Sequence, residues 1–89
     1  MIERIVLVKL EADAATDSHR QDLAAHSRQS LGALPGLRSL SLGLPSDAHA
    51  LRSWDLSVVM CFDDQPSVDQ AVEDPAYQSW LTGPWAERV

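Results

Sequence analysis

Arg4 and Tyr77 are the residues best placed to do chemistry in this chain. Arg4 stands among Ile2, Ile5, Val6, Leu7 and Val8. A guanidinium at the rim of an apolar pocket can hold a carboxylate or an enolate through paired hydrogen bonds. The commoner use of such an arginine is an ordinary ion pair near a strand start, with Glu87 as a candidate partner. Tyr77, Trp80 and Trp85 gather three aromatic rings in the last third of the chain. Rings of this kind line small-molecule concavities, and they also form the lids of hydrophobic cores. Tyr77 can donate a hydrogen bond or act as a weak acid, but a phenol of ordinary pKa near 10 is a poor base at neutral pH.

Other reactive residues lack partners. His19 and His26 lie seven positions apart on one expected helix, about 10 Å along its axis, so they do not share a metal ion. Asp22 with His26 makes a two-ligand pair at most, and His49 falls in a loop; solvated histidines explain all three. Ser27 and Ser30 have no glycine-framed elbow and no Ser-His-Asp order. Cys61 follows Met60 in a strand centre, where cysteine is usually a small inert hydrophobe. Asp63, Asp64, Asp69, Glu73 and Asp74 bracket one helix, and helix-end electrostatics account for them. There is no glycine-rich phosphate loop and no zinc spacing, and no cofactor or metal is expected.

The elements that must position these groups follow from periodicity. Residues 2–10 are short, apolar and rich in β-branched types, which predicts a strand. Arg4, Val6, Val8 and Leu10 share one face of it, and Ile5, Leu7 and Lys9 the other. Neither face is consistently polar, so the sheet should be covered on both sides. Thr16, Asp17 and Ser18 can each cap a helix running from about residue 18 to 34. Its apolar stripe is Leu23, Ala24, Ser27, Leu31 and Leu34, with Arg20, Gln21, Arg28 and Gln29 on the opposite side. Pro35-Gly36 stops the helix, and residues 37–43 alternate as a second strand. Residues 44–53 read as a long loop, the segment expected to be mobile. Residues 54–62 make a third strand, again without a wet face. Asp63-Asp64-Gln65-Pro66 opens a second helix to about Glu73, and Asp74-Pro75 breaks it and starts another carrying Tyr77, Trp80 and Leu81.

The 89 residues suffice for one domain. A monomer of this size removes only about 60–65% of its unfolded surface from water, and oligomerisation is a common remedy. The net charge of −6 disfavours nucleic acid and anionic membrane surfaces as partners. The longest strongly apolar run, Ile5 to Val8, is far too short to span a bilayer. A single cysteine and no recognisable signal peptide make the cytoplasm the expected compartment. The order β-α-β-β-α lacks the last strand of a β-α-β-β-α-β ferredoxin-like unit. The expectation is therefore that the natural chain continues past Val89 with a further apolar strand, which would lie beside the first and cover its edge.

Four stretches carry a resemblance. Met1-Ile2-Glu3-Arg4-Ile5-Val6-Leu7-Val8-Lys9-Leu10 is similar to the first strand of the stress-responsive A/B-barrel (Dabb) family, and Leu34-Pro35-Gly36-Leu37 to its helix-to-strand turn. Trp54-Asp55-Leu56, Val58 and Phe62-Asp63-Asp64 resemble its third strand. Asp74-Pro75-Ala76-Tyr77 stands where the family has His-Pro-Ala-His, with both histidines replaced. The resemblance spans nearly the whole chain. It implies an α+β, ferredoxin-like monomer whose sheet pairs with that of a second copy to close a dimeric α/β barrel. One sheet face then meets the helices, with Arg4, Val6, Val8, Ser27, Leu56, Val58, Tyr77, Trp80 and Trp85 around a pocket. The other face meets the partner through Ile5, Leu7, Val59 and Cys61. Some members of the fold are cofactor-free cyclases. In the plant polyketide cyclase the chain resembles, the histidine positions match Arg4, Leu56 and Tyr77 here, and the helix tyrosines match Ser27 and Ala71. The catalytic set is absent. The expected function is a homodimeric, stress-responsive type of protein that binds a small apolar or weakly anionic molecule without defined catalysis. The alternative is a cofactor-independent enzyme, either a polyketide cyclase or isomerase or an antibiotic-biosynthesis-type monooxygenase.

Overall fold

The computed structural model describes residues 1–83 of the chain. In chain order it contains β1 (Ile2–Val8), α1 (Asp17–Leu31), β2 (Leu37–Gly43), α2 (Ala48–Leu51), β3 (Leu56–Phe62), α3 (Gln65–Glu73) and α4 (Pro75–Thr82). The strands form one antiparallel sheet in the order β1-β3-β2. β3 is the central strand and pairs Arg4 with Met60, Val6 with Val58 and Val8 with Leu56 across β1. On its other side Leu40 meets Met60 and Leu42 meets Val58, with an irregularity between Leu37 and Ser39. No strand pairs with the outer edge of β1 among the described residues.

Helix starts obey local capping chemistry. The side chains of Thr16, Asp47, Asp64 and Asp74 accept backbone N–H groups from His19, Ala50, Ser67 and Ala76. Each such cap stabilises its helix by about 1 kcal/mol. Pro66 and Pro75 occupy first turns, where a missing N–H costs nothing. Gly36 reverses the chain into β2 with φ of 79°, a conformation that penalises any Cβ.

The core lies between one sheet face and the helices. Leu56, Val58, Met60 and Phe62 alternate inward from β3 and are fully buried. Leu23 and Leu31 of α1, Val68 and Ala71 of α3, and Tyr77 and Trp80 of α4 pack over them. The opposite face of the sheet is open: Ile5 is 59% and Leu7 58% exposed.

Five sequence expectations need correction. β1 ends at Val8 and not at Leu10, whose N–H turns to the Asp55 carboxylate. α1 ends at Leu31 and not near residue 34, because Gly32 closes it and its N–H bonds to the Arg28 carbonyl. The third strand begins at Leu56 and not at Trp54, since the Trp54 N–H turns back to the Ala50 carbonyl. The loop 44–53 contains a single helical turn, α2, nucleated by the Asp47 cap. Arg20, assigned to the wet side of α1, is buried together with Leu23, Ser27 and Leu31 on the core stripe.

Candidate functional site

On the helix-facing side of β1, Val8 and Val6 lie opposite Leu56 and Val58 and form an apolar floor. Arg4 continues that row to the strand's beginning, opposite buried Met60, so the floor ends in a charge. α4 lies above it. Its Pro75 start and helical spacing put Tyr77 and Trp80 on the same inward face, and both are buried.

Arg4 Nε donates a hydrogen bond to the Tyr77 hydroxyl at 3.0 Å. The guanidinium carbon also stands 5.6 Å from the Tyr77 ring centroid, within the range in which a cation is attracted to an aromatic face. Because the Tyr77 oxygen accepts from Arg4, its own hydrogen is free to be donated to another group. Tyr77 packs against Trp80 with centroids 5.8 Å apart and planes tilted by 56°, a favourable edge-on arrangement. Trp80 Nε1 in turn donates to the Ser27 Oγ of α1 at 2.8 Å, and Ser27 is fully buried. Arg4, Tyr77, Trp80 and Ser27 thus form a continuous chain of contacts from the edge strand to α1. Leu56, Val58, Val8, Tyr77 and Trp80 are buried in the core, so the row is closed along its length and presents the exposed Arg4 guanidinium, backed by the Tyr77 hydroxyl, at its outer end.

Trp85 and Glu87, expected in the pocket and as the Arg4 partner, lie outside the described residues. Ile5, Leu7, Val59 and Cys61 sit on the opposite sheet face, the first two exposed and the last two half-buried. Ala71 is buried in α3. His19 Nδ1 lies 3.0 Å from the Ala14 carbonyl. Among the described residues, the buried His26 Nε2 has no hydrogen-bond partner. No group of three His, Cys, Asp or Glu side chains able to hold a metal occurs among the described residues, nor does any described helix have the length and apolar character to cross a membrane.

The polar centre that sequence reasoning missed is Asp55, fully buried immediately before β3. Its carboxylate accepts from the Leu10 N–H at 2.8 Å, from Arg20 Nε at 2.8 Å and from Lys9 Nζ at 3.4 Å. Burial opposes its ionisation, yet the Leu10, Arg20 and Lys9 bonds together hold its carboxyl below the ordinary range. Arg20 also donates to Asp17 and to the Ala15 carbonyl, so one carboxylate ties the ends of β1, α1 and β3 together. The available signal was an acidic residue inside an apolar strand, Trp54-Asp55-Leu56, which demands a cationic partner. A concavity of about 130 Å³ opens beside this centre, between Asp17, Arg20 and Gln21 of α1 and Leu44, Pro45 and Leu51.

The fold is shared with solved structures. Protein At3g17210 of Arabidopsis thaliana superposes with a TM-score of 0.73 at 11% identity, over 92% of this chain and 80% of that one. A protein from Bacteroides fragilis, described as dimeric, of unknown function and of ferredoxin-like fold, superposes with a TM-score of 0.69 at 20% identity, over 90% of this chain and 79% of the other. A comparison with curated proteins found none that matches. The stress responsive A/B barrel domain matches residues 2–83, nearly all of the sequence. The chain belongs to that family.

Proposed function

We propose that this chain works as a homodimer that holds a small apolar or weakly anionic molecule between its sheet and its helices, without defined catalysis. The observation that carries the reading is the open sheet face, where Ile5 and Leu7 of β1 expose more than half their surface to solvent. Val59 and Cys61 of β3 extend the same patch. Two large aliphatic side chains, fixed side by side on a flat face, are what a second copy of the sheet would cover. The dimeric description of the Bacteroides fragilis protein supports the same assembly. The one cysteine, without a disulfide partner, fits a cytoplasmic setting. Sedimentation at micromolar concentration should give about twice the chain mass of 9.8 kDa, and a monomer at that concentration would remove the dimer.

The ligand half of the proposal rests on Arg4 and Tyr77. The remaining N–H groups of Arg4, unpaired among the described residues, suit an oxyanion, and the neighbouring Tyr77 and Trp80 rings suit an aromatic body. Titration of a carboxylated aromatic probe, followed by tryptophan fluorescence, should show Arg4→Ala weakening binding by about 1.5–3 kcal/mol. Equal affinity of both proteins would return Arg4 to a structural role. The same contact is what a cofactor-independent cyclase, isomerase or monooxygenase would need to steady an enolate. Turnover of an enolisable polyketide analogue, lost in Tyr77→Phe, would favour that second reading.

A further inference from the structure

We propose that residues 44–54 form a flap, fixed at both ends and latched by Lys9, whose movement widens the concavity beside Arg20.

Both ends of this segment are pinned. At one end Ser57 Oγ donates to the Gly43 carbonyl at 3.4 Å, and this hydroxyl lies so close that a Cβ on Gly43 would stand 2.5 Å from Ser57 Oγ. At the other end the Asp55 N–H donates to the Val8 carbonyl at 2.7 Å, and its carboxylate is held by Leu10, Arg20 and Lys9.

The span between these anchors is different in kind. None of its residues is buried. Its own hydrogen bonds are internal: Ala50 donates to the Asp47 carboxylate, Leu51 to the Asp47 carbonyl, and Trp54 to the Ala50 carbonyl. It therefore moves as a unit without losing them. Among the described residues one polar bond ties it to the rest of the protein, from Lys9 Nζ to the Leu51 carbonyl at 3.0 Å. The Lys9 side chain is 47% exposed and is shared with Asp55, so water competes for this bond. Leu44, Pro45 and Leu51 of the span form one wall of the concavity, and Asp17, Arg20 and Gln21 of α1 form the other. Displacing the span widens this space without disturbing β3 or α1. Segments with few buried contacts and a single cross-link occupy the low-stability end of a native structure.

Amide hydrogen exchange on the full chain tests the flap. In the wild type, the amides of Leu51 and Trp54 should exchange faster than those of β3, which reports opening separate from global unfolding. Lys9→Met should raise exchange in this segment about fivefold further, with a smaller rise in β3, where Lys9 contributes only the 3.4 Å contact to Asp55, and Lys9→Arg should restore most of the wild-type rate. Exchange of the segment and of β3 at a common rate would overturn the proposal, as would a segment rate unaffected by Lys9→Met. A parallel rise in both regions of Lys9→Met would show that Lys9 supports the whole fold and latches no flap.

Discussion

The two faces of one sheet show how differently the same residue types are used. On the helix side, Leu56, Val58 and Met60 of β3 are fully buried beneath α1, α3 and α4. On the other side, one residue along in register, Val59 and Cys61 alternate with them beside exposed Ile5 and Leu7. The backbone is the same and the side chains are equally apolar. What separates the faces is whether the chain supplies its own cover. The helix face should therefore answer to mutation as monomer stability, and the open face as association.

The sharpest contrast is expected inside the helix side, where a charge is buried. Asp55→Ala removes the carboxylate that neutralises Arg20 and receives the Leu10 N–H. Breaking a buried pair typically costs about 3–5 kcal/mol; Arg20 keeps Asp17 and the Ala15 carbonyl, so chemical denaturation should show a loss at the lower end of that range. Met60→Ala, a truncation in the packed centre, should cost about 2–4 kcal/mol with no direct effect on association. If either substitution left the unfolding midpoint in place, the division between the faces would be wrong.

Acid should act through the same carboxylate. Because Asp55 titrates lower in the folded chain than in the unfolded one, it binds fewer protons when folded. The stability it contributes is present in full above its unfolded value near 3.9 and is lost as pH falls below that toward its folded value. Urea unfolding followed from pH 5 downward should lose stability in this window, and Asp55→Asn should show a smaller slope. An identical slope would mean that other carboxylates govern acid unfolding.

Smaller effects grade toward the surface. Ser27→Ala leaves the Trp80 N–H buried without an acceptor, a change of about 1–2 kcal/mol in thermal or chemical unfolding. Arg38 and Asp63 form a closely spaced ion pair on exposed side chains. Arg38→Ala should leave the midpoint within measurement error, since such pairs contribute little in water.

Much of this contrast can be read in the residues themselves. β1 and the centre of β3 carry no wet face, which predicts a sheet covered on both sides, whereas in the single chain one face is open at Ile5 and Leu7; Asp64-Gln65-Pro66 and Asp74-Pro75 mark helix starts through chemistry confined to one turn. Arg20 shows where local reading fails. A helix wheel sends an arginine to solvent, while the carboxylate that draws it inward is 35 positions away. α2 was hidden for the opposite reason: four residues are too few to display a period, and only the Asp47 cap signals them. The approach of Arg4 to Tyr77 spans 73 positions. Periodicity does not reveal that pairing, although the family resemblance placed both residues at one pocket.

The assembly claim can be isolated with one substitution at the centre of the open face. Val59 pairs with Ile5 across the two strands and points away from the helices. Val59→Asp should shift sedimentation at micromolar concentration from twice the 9.8 kDa chain mass to the monomer, while circular dichroism still shows a folded chain. A folded Val59→Asp protein that sediments with the same mass as the wild-type dimer would contradict pairing through this face.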